Sequence, residues 1–192
     1  MNSANVKNRA VFLDRDGTIN EDYGYINHAD QIDLIPGSGE AIKKLNDAGF
    51  KVIVISNQAG IARGLATEDQ VQSCNKVVMR KVLNAGGIID AVYFCPHHPE
   101  HGTHPFKGEC DCRKPNPGMI HKAEKKFNLD LSQSFVVGDK TTDIELGKKA
   151  GLKSVFVLTG KGKGEEPKLA EKKLTPDHKA PSIVEAIDWI LS

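Results

Sequence analysis

Acidic residues in two short segments have the spacing of a phosphate site that contains a metal ion. The sequence DRDGT occupies residues 14–18, and Asp139 is followed by Asp143. Carboxylates that lie close together raise one another's pKa unless a cation neutralises them. Mg²⁺ prefers oxygen ligands and is held by one or two carboxylates together with phosphate and water. If the two segments meet, we expect the Asp14 and Asp139 carboxylates and the main-chain carbonyl of Asp16 to bind Mg²⁺.

Polar and basic residues that can contact a phosphate occur at three other places. One group directly follows an apolar run, a second precedes a proline, and a third lies next to Asp139. Basic side chains form strong charge-assisted hydrogen bonds with phosphate, although the first group could simply cap a turn or helix. These candidate substrate-binding residues are Ser56, Asn57, Gln58, Arg113, Lys114 and Lys140.

Three of the four cysteines lie close together with histidines between them. Cys95, Cys110 and Cys112 flank a segment without hydrophobic periodicity, whereas Cys74 stands apart and is expected in the core. Three thiolates and one imidazole suit tetrahedral Zn²⁺, and four protein ligands leave no open position, as in a structural site. The spacing does not distinguish His97 from His98, and His101 and His104 are further candidates for the nitrogen ligand. The alternative to a metal site is that these cysteines are reactive or incidental.

Five short apolar runs separated by helical patterns predict a parallel sheet. The alternation of strand and helix is typical of an α/β, doubly wound (Rossmann-like) domain, in which ligands bind at the carboxyl ends of the strands. Each polar segment above lies at a strand end or helix start, so all should meet at one edge. We expect one domain over residues 1–192. The predicted strands are Ala10–Leu13, Val52–Ile55, Ala91–Phe94, Phe135–Val137 and Ser154–Leu158.

Start and stop signals place five helices between and after these strands. Thr67 and Gln70 form a capping box, Thr142 and Glu145 are a second candidate pair, and glycines and prolines mark the other ends. The segment Gly160–Lys173 is rich in Gly, Lys and Glu and is predicted to be a solvated loop. The alternative is a Gly/Lys loop that binds phosphate, although the segment lacks the full nucleotide-loop pattern. The predicted helices cover Gly39–Ala48, Thr67 to about Asn84, a stretch after Pro117, Thr142 to Gly151, and a stretch from Pro181 to Leu191.

Composition excludes several classes of protein. The chain has 192 residues, of which 39% are hydrophobic, enough for one sizeable core. Lys and Arg number 26 against 25 acidic residues, so we expect no nucleic-acid or membrane partner. The start Met1–Arg9 is polar, and no run reaches the roughly 20 apolar residues of a membrane span. We expect a cytoplasmic monomer.

The ordered motifs from Val11 to about Gly151 resemble those of haloacid dehalogenase-type phosphatases. These are DRDGT after the first strand, Ser56 after the second, Lys114 before a helix, and Asp139 with Asp143. The resemblance implies that Asp14 attacks phosphorus and forms an aspartyl-phosphate, while Asp16 transfers protons. It also implies that Lys114, Ser56 and Mg²⁺ stabilise the charge on the phosphoryl group.

The cysteine segment, which runs directly into Arg113 and Lys114, is similar to that of bacterial heptose-bisphosphate phosphatases and of histidinol-phosphate phosphatases. This resemblance implies a phosphorylated sugar substrate, with attack at the 7-phosphate of a heptose bisphosphate that serves as a lipopolysaccharide precursor. It implies substrate contacts by Arg113, Lys114 and Lys140. It assigns Zn²⁺ to Cys95, His97, Cys110 and Cys112, and the sugar phosphate to Asp22, Tyr23, Gly24 and Tyr25.

The connections between the first three strands are too short for a cap domain, so an open site is expected. A bisphosphate needs a second cationic contact, and Arg113, Lys140, Arg63 or Lys161 could supply it. The alternative substrate, histidinol phosphate, would need a partner for its amine and imidazole. The alternative class is a catalytically inactive binding module organised by zinc, although both motif aspartates and Lys114 are present.

Overall fold

A computed structural model describes residues 7–192, so residues 1–6 of the polar start lie outside the described part. Six strands form one sheet in the order β3-β2-β1-β4-β5-β6, and every neighbouring pair is parallel. This confirms the predicted α/β doubly wound class. The strands are β1 (Ala10–Leu13), β2 (Lys51–Asn57), β3 (Ala91–Cys95), β4 (Phe135–Gly138), β5 (Lys153–Val157) and β6 (His178–Ala180).

Helices cover both faces of the sheet. Apolar residues of α1, α2 and α6 form one core with the sheet, and residues of α3 and α4 form a second core on the opposite face. Short 3₁₀ helices lie at Ala29–Gln31 and Leu131–Gln133. The α-helices are α1 (Ser38–Asp47), α2 (Glu68–Asn84), α3 (Gly118–Phe127), α4 (Thr141–Ala150), α5 (Gly162–Glu171) and α6 (Ile183–Leu191).

The central strand β1 is buried on both faces. Val11 and Leu13 contribute to the core under α1, α2 and α6, whereas Ala10 and Phe12 contribute to the core under α3 and α4. This alternation follows from the two-residue period of a strand. Leu13 is in register with a residue of β2 and a residue of β4. The residues that follow β1 and β4 therefore emerge side by side.

The helix starts agree with the sequence signals at α2 and differ at α4. The Gln70 N–H donates to Thr67 Oγ1 at 3.2 Å, and the Thr67 N–H donates to Gln70 Oε1 at 2.8 Å, so the capping box is confirmed. Helix α4 begins at Thr141, and the Lys140 N–H donates to Asp143 Oδ2 at 3.2 Å, so the capping-box partner is Asp143 and not Glu145. The predicted pairing of Thr142 with Glu145 was wrong, because the residue that caps the helix is Lys140, two positions before Thr142.

The structure corrects the prediction for the segment Gly160–Lys173. This segment was predicted to be a solvated loop, yet residues 162–171 form α5, with Pro167 inside the helix. Gly and Pro disfavour a helix locally, but Leu169 is buried against Ile144 and Phe156. Tertiary packing therefore stabilises a helix that the local sequence does not encode.

The connections near the site contain little besides these elements. Within the described residues, the segments between β1 and β2 and between β2 and β3 hold one short 3₁₀ helix, α1 and α2, which agrees with the absence of a cap domain. None of the helices in residues 7–192 has the length and apolar character needed to span a membrane.

Candidate active site

The acidic residues meet where the strand order reverses. Strands β1 and β4 are adjacent in the sheet, and the strand order runs outward from them in opposite directions, through β2 and β3 on one side and β5 and β6 on the other. Such a switch point leaves a crevice at the carboxyl ends of the strands. Asp14 directly follows β1 and Asp139 directly follows β4. Carboxylate oxygens of Asp14, Asp139 and Asp143 lie within 4.8 Å of one another. The structure thus brings the two sequence segments together.

Lys114 is buried between two of these carboxylates. Its Nζ lies 2.9 Å from Asp14 Oδ1 and 2.7 Å from Asp143 Oδ1, and it donates to the Ile55 carbonyl at 3.0 Å. Burial alone would lower the pKa of Lys114, but Asp14 and Asp143 raise it overall. The side chain therefore carries a positive charge directly beside Asp14.

Asn57 fixes the backbone of Lys114. Its side-chain amide donates to the Lys114 carbonyl at 3.0 Å and accepts from the Lys114 N–H at 3.0 Å. Asn57 thus uses both ends of its amide to hold the segment that carries Lys114. Asn57 is among the predicted substrate contacts, and it lines a cavity together with Gln58 and Lys140.

Asp14 has the environment of a nucleophilic carboxylate. Burial would raise its pKa, but Lys114 and Lys140 outweigh burial and lower the pKa to about 2. The Arg15 N–H also donates to Asp14 Oδ1 at 2.8 Å. Asp14 is therefore ionised at neutral pH, as a carboxylate that attacks phosphorus must be.

Three oxygens converge on the Lys140 ammonium. Lys140 Nζ lies 3.0 Å from Asp139 Oδ1, 3.4 Å from Asp14 Oδ2 and 3.4 Å from the Asp16 carbonyl oxygen. Burial, followed by the Asp14 and Asp143 charges, raises the pKa of Asp139 to about 7, although Lys140 opposes the shift. The three oxygens are the donors predicted for Mg²⁺. Oxygen donors that crowd negative charge around one cationic group fit a hard divalent ion.

Asp16 is held by a set of hydrogen-bond donors. Arg15 Nε and Nη2 each donate to one of its carboxylate oxygens at 2.8 Å. Asn20 Nδ2 and Gln58 Nε2 donate to the same carboxylate at 3.0 Å. Gln58 Nε2 also lies 2.7 Å from Ser56 Oγ. Ser56 and Gln58 are thereby linked to the carboxylate to which the family resemblance assigns proton transfer.

The start of α5 closes one side of the site. The Lys161 N–H donates to Asp139 Oδ2 at 2.8 Å, and Thr159 Oγ1 donates to the Gly17 carbonyl at 2.7 Å. A Cβ on Gly160 would lie 2.4 Å from Gly17 Cα, so the two backbones approach too closely for a side chain. Thr159 was not predicted as a site residue. Gly160 begins the segment for which a phosphate-binding loop was the alternative prediction, and Lys161 was one of four candidates for the second phosphate contact. A glycine directly before a lysine was the available signal.

A cavity of about 270 Å³ opens beside these groups. Asp22 lies in it and is 3.7 Å from Lys161 Nζ and 3.9 Å from Lys140 Nζ. Tyr23 is 60% exposed, its hydroxyl lies 3.3 Å from Asp33, and it does not line the cavity. The lining residues are Asp16, Asp22, Gly24, Tyr25, Asn57, Gln58, Ala59, Gly60, Lys140 and Lys161.

Two further basic residues lie away from this lining. Arg113 Nη1 donates to the His97 carbonyl at 3.0 Å and so attaches to the cysteine segment. The Arg63 guanidinium lies 6.0 Å from the centre of the Tyr25 ring. Among the predicted second phosphate contacts, Lys140 and Lys161 therefore lie in the cavity.

The cysteine segment forms a compact ligand cluster. One ligand atom from each of Cys95, His97, Cys110 and Cys112 lies within 4.8 Å of the others. His97 Nδ1 is 3.4 Å from Cys112 Sγ, whereas His98 Nδ1 accepts from the Glu100 and His101 N–H groups. The geometry therefore selects His97 over His98. Three sulfurs and one nitrogen converging in this way fit tetrahedral Zn²⁺.

This chain is similar in sequence to known proteins. The sequence profile of the HAD-hydrolase-like family matches residues 111–186. The D-glycero-beta-D-manno-heptose-1,7-bisphosphate 7-phosphatase of Pasteurella multocida is 44% identical over 161 residues, which cover 83% of this chain and 87% of that protein. The protein of the same name from Escherichia coli K12 is 37% identical over 184 residues, which cover 95% and 88%.

Two solved structures of heptose bisphosphate phosphatases are similar in fold to this chain. The D,D-heptose 1,7-bisphosphate phosphatase of B. bronchiseptica, complexed with magnesium and phosphate, superposes with a TM-score of 0.83 at 31% identity, covering 95% of this chain and 98% of that one. The D,D-heptose 1,7-bisphosphate phosphatase of Burkholderia thailandensis gives 0.70 at 32% identity, covering 96% and 99%. The chain belongs to the family of the D-glycero-beta-D-manno-heptose-1,7-bisphosphate 7-phosphatases, within the HAD-like hydrolases.

Proposed function

We propose that this chain hydrolyses the 7-phosphate of D-glycero-β-D-manno-heptose 1,7-bisphosphate through an aspartyl-phosphate. The observation that carries the proposal is the ionised Asp14 carboxylate, buried between Lys114 and Lys140 at the switch point of the sheet. The names of the relatives supply the substrate. The site supports the reaction class independently of those names.

Asp14 is the proposed nucleophile. One of its carboxylate oxygens bonds to the phosphorus, the bond between phosphorus and the sugar oxygen breaks, and Asp16 gives a proton to the departing oxygen. Asp16 then takes a proton from the water that cleaves the aspartyl-phosphate, which regenerates Asp14 and releases inorganic phosphate. Such a division into two displacements replaces one difficult step by two easier ones.

The charge on the phosphoryl group is proposed to be offset by Lys114, Lys140 and the Ser56 hydroxyl. The Asp14 and Asp139 carboxylates and the Asp16 carbonyl would hold Mg²⁺, and Cys95, His97, Cys110 and Cys112 would hold Zn²⁺. When bound, Mg²⁺ polarises phosphoryl oxygens and offsets their charge. Zn²⁺ with four protein ligands is structural, and it would order the segment that carries Arg113.

The remaining substrate contacts follow from the cavity. Asp22, Gly24 and Tyr25 are proposed to contact the sugar, with Asn57, Gln58 and Arg113 around it. Tyr23 points toward Asp33, so its backbone, rather than its ring, is the proposed contact. We also propose a cytoplasmic monomer that acts as one phosphatase domain over residues 1–192, binds neither nucleic acid nor membrane, and supplies lipopolysaccharide precursor synthesis.

The test is magnesium-dependent phosphate release from heptose 1,7-bisphosphate and from histidinol phosphate, with Asp14→Asn as the blank. The expected result is turnover of the heptose bisphosphate that is absent in the variant. A preference for histidinol phosphate would overturn the sugar assignment but leave the chemistry intact. Turnover of neither substrate, with zinc bound, would favour a binding module.

A further inference from the structure

We propose that Asn75 of α2 is a positioning residue that acts on Asp16 through Arg15. The inference rests on the proposed function, in which Asp16 transfers protons. Arg15 Nη1 donates to Asn75 Oδ1 at 2.8 Å, and the other two donating nitrogens of Arg15 grip the Asp16 carboxylate. The three side chains form a continuous chain of hydrogen bonds from a helix to the site.

The Arg15 and Asn75 side chains in this series of hydrogen bonds are buried, so each hydrogen bond matters for the stability and orientation of its partners. Arg15 is 1% exposed and heads the set of largest fully buried side chains, and Asn75 is 6% exposed. A buried guanidinium must satisfy its donors within the protein, because an unpaired buried charge is costly. Asn75 accepts from Nη1 of this guanidinium, and Asp16 accepts from Nε and Nη2. The orientation of the guanidinium plane is therefore set jointly by both residues.

Because the Arg15 guanidinium is planar and rigid, the position of Asn75 affects the orientation of the Asp16 carboxylate. Two parallel N–H···O bonds fix the plane of a carboxylate as well as its location. Helix α2 is anchored by the capping box at Thr67 and by buried Val71, Cys74 and Val78. Asn75 thus ties the proton-transferring carboxylate to a rigid element rather than to the loop that carries it.

The removal of the Asn75 acceptor should impair proton transfer more than other aspects of the site. In Asn75→Leu, Arg15 loses one anchor, its guanidinium can tilt, and Asp16 loses its alignment. Within residues 7–192, the hydrogen bond of the Asn75 side chain joins it to Arg15 and not to a side chain that is a proposed metal ligand or lines the cavity. A leaving group that departs without a proton should therefore be affected little by the substitution.

The experiment compares kcat/KM for three phosphate esters: heptose 1,7-bisphosphate, phenyl phosphate and p-nitrophenyl phosphate. For Asn75→Leu we expect a loss of about tenfold with the heptose substrate, a smaller loss with phenyl phosphate and a loss within about twofold with p-nitrophenyl phosphate. Asn75→Asp, which keeps an acceptor oxygen of the same length, should recover most of the loss. Gln72→Leu, an exposed substitution on the same helix, should behave as wild type.

The ratio of the kcat/KM values for the different esters distinguishes a positioning role of Asn75 from a general loss of folded enzyme. Partial unfolding would lower all three values by the same factor, so an equal loss for every ester would overturn the proposal, as would an unchanged value for the heptose substrate. Asn75→Ala is measured in the same way in case the leucine does not fit. In an Asp16→Asn background, Asn75→Leu should have no further effect on p-nitrophenyl phosphate, and a further loss would also overturn it.

Failure of the proposed substrate would be recognised separately. An unaltered enzyme that ignores heptose 1,7-bisphosphate but hydrolyses both aryl phosphates would overturn the substrate assignment alone. The comparison of phenyl phosphate with p-nitrophenyl phosphate would then still decide the role of Asn75, because the two esters differ mainly in how much their leaving oxygen needs a proton.

Discussion

The Lys114 ammonium lies 2.7 Å from the Asp143 carboxylate, and both side chains are almost completely buried. Asp143 also accepts a hydrogen bond from the Lys140 N–H, at the start of α4. Asp143 therefore holds a cation beside the proposed nucleophile and at the same time fixes the helix that follows Asp139. This pair joins the stability of the fold to the electrostatics of the site.

Asp143→Asn should destabilise the protein. Breaking a buried ion pair typically costs 3–5 kcal/mol, and we expect about 3 kcal/mol here because Asp14 still faces Lys114. The free energy of unfolding from urea denaturation measures this. The matched control is Asp47→Asn, whose partner Lys43 lies on the surface of α1 and whose loss should have no measurable effect. Equal effects of the two substitutions would contradict the prediction.

Asp139 should make the stability of the magnesium-free protein depend on pH. Burial and the neighbouring carboxylates raise its pKa from 3.8 to about 7. Between these values the folded state binds more protons at this site than the unfolded state, so the contribution of Asp139 to the free energy of unfolding should decline as pH rises. Saturating Mg²⁺ should reduce the decline, because a cation stabilises the ionised carboxylate.

Urea denaturation in magnesium-free buffer at about pH 5 and about pH 8 measures this decline. The buffer should contain no chelator, so that zinc is retained. Asp139→Asn serves as the control, since it lacks the titrating carboxyl and should show a smaller decline than the unaltered protein. A decline of the same size in both proteins would show that other groups cause it.

His97→Ala should release zinc and loosen the segment between Cys95 and Cys112 before the sheet unfolds. Structural zinc contributes roughly 10–16 kcal/mol in zinc-finger peptides at neutral pH, enough to order a short segment. Metal analysis and amide hydrogen exchange give the readout. His98→Ala is the matched control, because His98 bonds to backbone N–H groups outside the ligand cluster and should leave the zinc content unchanged. Zinc loss in the control alone would reverse the assignment.

Lys161→Gln should weaken binding of the bisphosphate. Lys161 Nζ lies 3.7 Å from Asp22 in the cavity, where it can meet the phosphate that does not react. A hydrogen bond to a charged group contributes about 1.5–3 kcal/mol, so we expect KM to rise by about tenfold or more with kcat nearly unchanged. Lys163→Gln, an exposed substitution two residues further on, in the first turn of α5, is the control. An equal rise of KM in both variants would exclude a specific contact.

The strands and most helices were predictable because their residues have clear periodicity and end signals. The edge strand β6 was missed since it spans three residues and only Ala180 of them is buried. Helix α5 was missed because Gly162, Gly164 and Pro167 oppose a helix locally, and the packing of Leu169 becomes apparent only in three dimensions.

The residues of the candidate site also divide into those that a local sequence pattern predicts and those that it does not. Asp14, Asp16, Lys114 and Asp139 could be found because each follows a strand or precedes a helix. The contact between Asn75 and Arg15 joins residues from different elements, and an asparagine within a helix has no local pattern that predicts its partner. The Lys140 ammonium also had no sequence signal for its position among three oxygens, which depends on the side-chain conformation.

The parallel pairing of β1 with both β2 and β4 has a consequence for synthesis of the chain. Val11 pairs with Val52 on one side and with Phe135 on the other, so one edge of the central strand lacks its partner until most of the chain has left the ribosome. An unpaired strand edge can pair wrongly with other chains. Asp14 also meets Asp139 only after β4 has joined β1. A nascent chain therefore exposes an unpaired edge of β1 during the same period in which it has no complete active site.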